Sequence, residues 1–169
     1  HDLWEPLPFP ALSATAGGAK EPECLARVEQ HLKGIGLQFP QRVLYAFHTA
    51  LKVADYSPMV VLAGISGTGK SELPRRYADA MGLHFVGIAV QPRWDSPQDL
   101  FGFFNYMEGR YKATELARAM VQFERFNRSR WPLPRNWDGA RDDRMLLVLL
   151  DEMNLARVEY YFSEFLSKL

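Results

Sequence analysis

The sequence predicts an α/β fold, a parallel sheet flanked by helices, on three observations. Met59-Val60-Val61-Leu62-Ala63 is an unbroken apolar run between Pro58 and Gly64, and it leads through a glycine-rich turn into a helical pattern. His84 to Val90 and Met145 to Leu150 are further apolar runs of strand length, with helical patterns between them. Unbroken apolar runs suit strands covered on both faces, and strands alternating with helices suit parallel pairing.

Taken in order, residues 1–20 are rich in Pro, Ala and Gly and read as an extended arm or linker. A short helical segment follows in 21–38, with a helix expected over Glu23 to Lys33 and stopped by Gly34 and Gly36. The main domain is expected over 39–169. It opens with a helix from Pro40 to Asp55, whose Val43, Leu44, Phe47, Leu51 and Ala54 share a face. Ser71 to Met81 is expected to be helical and to end at Gly82, a suitable left-handed C-terminal residue; Pro74 lies near the limit of the first turn, where a missing N–H is tolerated. Ala113 to Phe126 carries Leu116, Met120 and Phe123 at helical spacing, and Leu155 to Leu169 carries Leu155, Val158, Phe162, Phe165 and Leu169.

The turn between the first strand and its helix is Gly64-Ile65-Ser66-Gly67-Thr68-Gly69-Lys70-Ser71, which fits G-x-x-x-x-G-K-[ST] without mismatch. Glycines let successive backbone N–H groups point inward at an anion, and the helix that follows adds its own N–H groups and positive dipole end. These eight residues and Glu72 are therefore the candidate nucleotide-binding set, with Lys70 reaching the β- and γ-phosphates and the Ser71 hydroxyl on Mg²⁺.

Hydrolysis needs a second group of residues. Met145 to Leu150 reads as a central strand with Asp151 at its carboxyl end, the edge at which open α/β sheets bind ligands. Asp151 is the candidate metal carboxylate together with Ser71, Glu152 the candidate that polarises the attacking water, and Asn154 a group that orients this water or senses the γ-phosphate.

Together these residues resemble the AAA+ ATPases, and two further segments narrow the likeness. Asp99-Leu100-Phe101-Gly102 is similar to the D-L-x-G segment, and Asp151-Glu152-Met153-Asn154-Leu155-Ala156 to the D-E-[IM]-N-x-A segment, of the MoxR, midasin and McrB-like (dynein-related) clade. Glu159 to Leu166 continues in the manner of McrB-like restriction ATPases, and the likeness runs from about Phe39 to Leu169. It implies a P-loop NTPase core with a β-hairpin insert, for which Phe103-Phe104-Asn105-Tyr106 and Arg110-Tyr111-Lys112 around Met107-Glu108-Gly109 supply two short strands and a turn. It further implies ATP and Mg²⁺ as ligands, with GTP open because McrB-like relatives use it, and a homo-oligomeric ring. The client is DNA, beside a nuclease partner, if the McrB likeness extends to function, and a protein if the MoxR-like likeness does. A nucleotide-dependent assembly module without efficient turnover is the third reading. The likeness also implies a sensor strand, an arginine finger and a helical lid. None of these is found in the sequence, which begins at His1 and ends inside a helical pattern, so it reads as the front part of a larger core with weak activity on its own.

Composition excludes several other classes. At 47% hydrophobic and 24% charged residues the chain is an ordinary globular one, and its zero net charge sets up no global field for nucleic acid or anionic membrane. A single cysteine, Cys24, rules out an intrachain disulfide framework and fits a reducing cytoplasm. No apolar run reaches membrane-spanning length, so no membrane partner is expected. His31, His48 and His84 lack the spacing of a zinc site, and no G-x-S-x-G elbow supports acyl chemistry. Six arginines in 125–144, with Trp131 and Trp137 between them and Arg118 just upstream, read either as a solvated connection partly neutralised by Asp138, Asp142 and Asp143 or as a contact to nucleic acid or a neighbouring subunit. Arg157 reads as a helix-surface charge or an intersubunit contact.

Overall fold

A computed structural model describes residues 2–9, 20–124 and 145–167. The chain divides into two units, Leu12–Leu83 and His1–Ala11 with His84–Lys168, and is α/β. The arginine-rich segment 125–144 lies outside the described residues.

The first unit is helical. Helices α1 (Glu21–Gly34), α2 (Gln41–Lys52) and α3 (Glu72–Met81) bury Val28 and Leu32, Leu44, Phe47 and Leu51, and Leu73, Tyr77 and Ala78, respectively. Pro40 stands at the N-cap of α2, and α3 ends at Gly82 in the left-handed conformation. A polar relay ties all three helices. His48 of α2 sits with Nδ1 2.6 Å from the Tyr77 hydroxyl on α3 and Nε2 3.1 Å from the Glu21 carboxylate on α1. A carboxylate only accepts, so the arrangement that satisfies all three groups puts the proton on Nε2 and has Tyr77 donate to Nδ1. Lys52 closes the outer end at 2.9 Å from Glu21, and its hydrogen bond is the main reason that the Glu21 carboxyl is held below its usual range.

Burial pushes the Tyr77 hydroxyl up to about 12, with Cys24 and Glu21 adding to the shift. A raised phenol keeps its proton longer in the folded than in the unfolded state. Its contribution is therefore complete below about pH 10 and is lost as pH rises through about 12. Tyr77→Phe is expected to flatten the fall in stability across that window and to cost roughly 1–3 kcal/mol at neutral pH, because His48 loses its donor. Urea titrations at pH 8, 10 and 11 would check both.

The run 59–63 departs from expectation. No strand forms there: Val61 is 77% exposed and Ile65 79%, and the segment joins no ladder among the described residues. Apolar composition supplies a strand's side chains but not a partner for its backbone groups, and without a ladder the run forms no strand. With α2 it walls an apolar cleft of about 500 Å³ lined by Val43, Phe47, Val60 and Leu62.

The second unit holds the sheets. Strand β1 (His84–Ala89) pairs in parallel with β4 (Leu146–Asp151), in register from His84 opposite Leu146 to Ala89 opposite Asp151. β4 is half-buried along its whole length, not the fully covered central strand its composition suggests, because β1 is its only ladder partner among the described residues. Between them come α4 (Pro97–Phe101), the antiparallel hairpin β2 (Gly102–Asn105) and β3 (Arg110–Ala113), and α5 (Glu115–Phe123). After β4, the expected single helix from Leu155 is broken into a 3-10 turn at Met153–Leu155, α6 (Val158–Tyr161) and α7 (Ser163–Leu166). The neighbours Tyr161 and Phe162 are both buried, at 0% and 5% exposure, and Tyr161 donates from its hydroxyl to the Met153 carbonyl at 3.2 Å. Both belong to the core cluster with Val90, Leu100 and Leu116.

The N-terminal residues 2–9, part of the expected extended arm or linker, pack on α5. Gln122 of α5 accepts from the Leu7 N–H at 2.9 Å and donates to its carbonyl at 3.4 Å, and Phe9 meets His84 and Phe123 edge-on at 5.3 and 5.2 Å. No helix among the described residues is long and apolar enough to cross a membrane.

Candidate functional site

The glycine loop belongs to the first unit. Gly64, Gly67 and Gly69 all have positive φ (154°, 79° and 81°), and the intervening residues 65–68 are exposed. The loop closes on one carbonyl: Ile65 accepts from the Thr68 hydroxyl at 2.9 Å and from Lys70 Nζ at 2.7 Å. Lys70 is half-buried, so its ammonium is folded back over the loop. Ser71 is already helical, and Leu73 N–H donates to the Gly69 carbonyl at 2.9 Å, so α3 grows directly out of the loop. A helix start leaves its first N–H groups without helical acceptors, and α3 starts two residues after Lys70.

The Glu72 side chain is tied within α3. Its carboxylate is bound at 2.9 Å by Arg76, one turn along α3, and Arg76 also reaches Asp79 at 3.4 Å. Pro74, the third residue of α3, is buried where no helical N–H is required. Phe39, which the sequence reading passed over, packs on the loop. A Cβ added at Gly69 would stand 2.9 Å from both Cε1 and Cζ of its ring. Thirty positions separate the two residues, and no local pattern links them.

The acidic group belongs to the second unit. Asp151 is the last residue of β4, half-buried, and its carbonyl accepts from Val90 N–H at 3.0 Å just past the end of β1. Glu152 follows with φ 56° and ψ 40°, the only non-glycine residue with positive φ among those described. This conformation costs roughly 1–3 kcal/mol and persists where the surroundings impose it. Two contacts do so: Glu152 N–H donates to Asp151 Oδ1 at 3.0 Å, and its carbonyl accepts from Leu155 N–H at 2.9 Å. The turn leaves the Glu152 side chain exposed beside Asp151, with Asn154 exposed one step further on. Arg157 donates to the Tyr160 hydroxyl at 3.0 Å and lies over its ring at 5.5 Å, on the surface.

The D-L-x-G segment has a structural role. Asp99 Oδ2 accepts from the N–H groups of Asp95 and Ser96 and from the Ser96 hydroxyl, at 3.0–3.2 Å, which closes the start of α4. Leu100 is 1% exposed in the core. The hairpin beyond it closes on Asn105, whose Oδ1 accepts from Met107 and Glu108 N–H, while Lys112 first and Arg110 second hold the Glu108 carboxyl below its usual range. Its aromatics do not all pack inward. Phe103 and Phe104 are half-exposed, Tyr106 is 88% exposed and Met107 99%.

Compared with protein-family models, with curated proteins and with solved structures, the chain matches none.

Proposed function

We propose that this chain binds a nucleoside triphosphate, ATP by preference, at the loop 64–71 and hydrolyses it with Mg²⁺ as part of an AAA+ ring. The loop itself carries the reading: a full motif match whose glycines hold positive φ, with Lys70 turned over it and α3 growing from its end. Lys70 moves from the Ile65 carbonyl to the β- and γ-phosphates, and the N–H groups from Gly67 to Glu72 bind the remaining oxygens.

The donors suit Mg²⁺, which keeps several waters and takes one or two protein oxygens beside substrate phosphates. Ser71 and Asp151 are each a candidate donor of such an oxygen, and no group of three His, Cys, Asp or Glu that could enclose a metal is found among the described residues. Mg²⁺ when bound neutralises charge that develops on the phosphates. Glu152 accepts a proton from the attacking water, and Asn154 orients that water. The McrB-like resemblance makes DNA translocation beside a nuclease the output to test first, and a protein client, as in MoxR-like chaperones, the alternative.

Titration calorimetry with ATPγS and GTPγS, each with Mg²⁺, tests the reading. Saturable binding is expected to the native sequence. Lys70→Ala should weaken it at least about thirtyfold, since the phosphates lose a charged partner. No binding by the native sequence would remove the proposal.

A further inference from the structure

We infer that Phe39 is the platform on which the nucleobase stacks, an inference that rests on the reading of 64–71 as a nucleotide loop. The contact with Gly69 is its basis. Cε1 and Cζ of the ring lie 2.9 Å from the point where a Gly69 side chain would begin, so the tip of the ring packs against the loop two residues before Ser71. Gly69 thus has two reasons to lack a side chain, its φ of 81° and the ring beside it.

The backbone that carries the ring is constrained. Pro40 follows it directly, with φ −55° and ψ 135°, and α2 begins at the next residue. A residue before proline is restricted to extended conformations. α2 is itself anchored by buried Leu44, Phe47 and Leu51 and by the His48 relay. A rigid element therefore brings an aromatic ring to the loop, and Phe39 remains only half-buried there.

A triphosphate held by Lys70 and the N–H groups at the start of α3 leaves its sugar and base outside the loop. The base is flat and offers a π-face on either side, which an aromatic ring beside the loop can cover. Phe39 is an aromatic ring in contact with Gly69. Stacking on an aromatic ring is tolerant of base identity, because every base has a π-face. Phe39 therefore adds affinity for the nucleoside part without choosing between adenine and guanine.

Two substitutions and a ligand without a base test this. Phe39→Leu keeps an apolar contact on Gly69 but removes the stacking face, and Phe39→Tyr keeps the face. Each variant and the native chain are titrated with ATPγS, GTPγS and inorganic tripolyphosphate, all with Mg²⁺. Phe39→Leu is expected to weaken both nucleotides about tenfold or more and to leave tripolyphosphate unchanged, while Phe39→Tyr stays within about twofold of native. Nucleotide affinity that survives Phe39→Leu would overturn the platform. So would tripolyphosphate weakened as much as the nucleotides, since the ring would then only support the loop. Tripolyphosphate binding the native chain as tightly as ATPγS would also overturn it, with the loop reading intact. A native chain that binds none of the three ligands would sink the loop reading and the platform with it.

Discussion

Glu152→Gln is expected to lower the rate of nucleotide hydrolysis by roughly 10²–10⁴, the usual contribution of a positioned general base, while ATPγS affinity stays within about twofold. The substitution exchanges one carboxylate oxygen for an amide, so size and backbone demand barely change. That matters here, because Glu152 is held at φ 56° by its N–H to Asp151 Oδ1 and its carbonyl to Leu155. Glutamine bears the same left-handed strain as glutamate, so a loss of turnover would report chemistry and not a collapsed turn. Single-turnover phosphate release with protein in excess reads the chemical step even when it is slow. Unchanged release would take Glu152 out of the mechanism. Strain at this one non-glycine residue is itself suggestive, since a turn selected for stability alone would place Asn or Gly there.

What the sequence made legible was local. The loop motif and its helix depend on residues within a few positions of one another, and the structure places positive φ at Gly64, Gly67 and Gly69 and starts α3 at Glu72. The strand ending at Asp151 was legible for the same reason, because six consecutive apolar residues run into one carboxylate. Misreadings came where the outcome depends on distant partners. Met59 to Ala63 has strand composition, but a strand requires a ladder, and Val61 is left exposed. The pattern over Leu155 to Leu169 predicts one helix, yet α6 ends at Tyr161 and α7 starts at Ser163, with Tyr161 and Phe162 both buried in the core. The proline-rich start reads as an extended arm or linker, and nothing near Leu7 announces its contact with Gln122, 115 positions away. The His48 relay and the Phe39 contact on Gly69 are invisible in sequence on the same ground.

The D-L-x-G segment was recognised as a pattern, and its physical content makes the second large effect. Gly102→Ala is expected to destabilise the second unit by roughly 3–5 kcal/mol. Gly102 has φ 98° at the junction of α4 and β2, a conformation that strains any side chain. A Cβ there would also stand 2.1 Å from the Lys112 carbonyl oxygen and 3.0 Å from Ala113 Cα, both backbone atoms of the strand paired with it. A flexible neighbour could swing aside; a ladder partner cannot move without breaking the pairing of Gly102 with Ala113. Relief is blocked on both sides. Thr114 donates from its hydroxyl to the Leu100 carbonyl at 2.6 Å, and Leu100 is fixed in the core. Gly109 supplies the control, since it lies in the same hairpin with φ 63° and has nothing within 4 Å of an added Cβ. Gly109→Ala should therefore cost only the left-handed strain, about 1–2 kcal/mol. Urea unfolding of the two variants separates the terms: a gap of about 2 kcal/mol or more assigns the excess at Gly102 to the closed junction. Equal losses would mean that the hairpin shifts to admit the methyl, and Gly102 would then owe its place to backbone conformation alone.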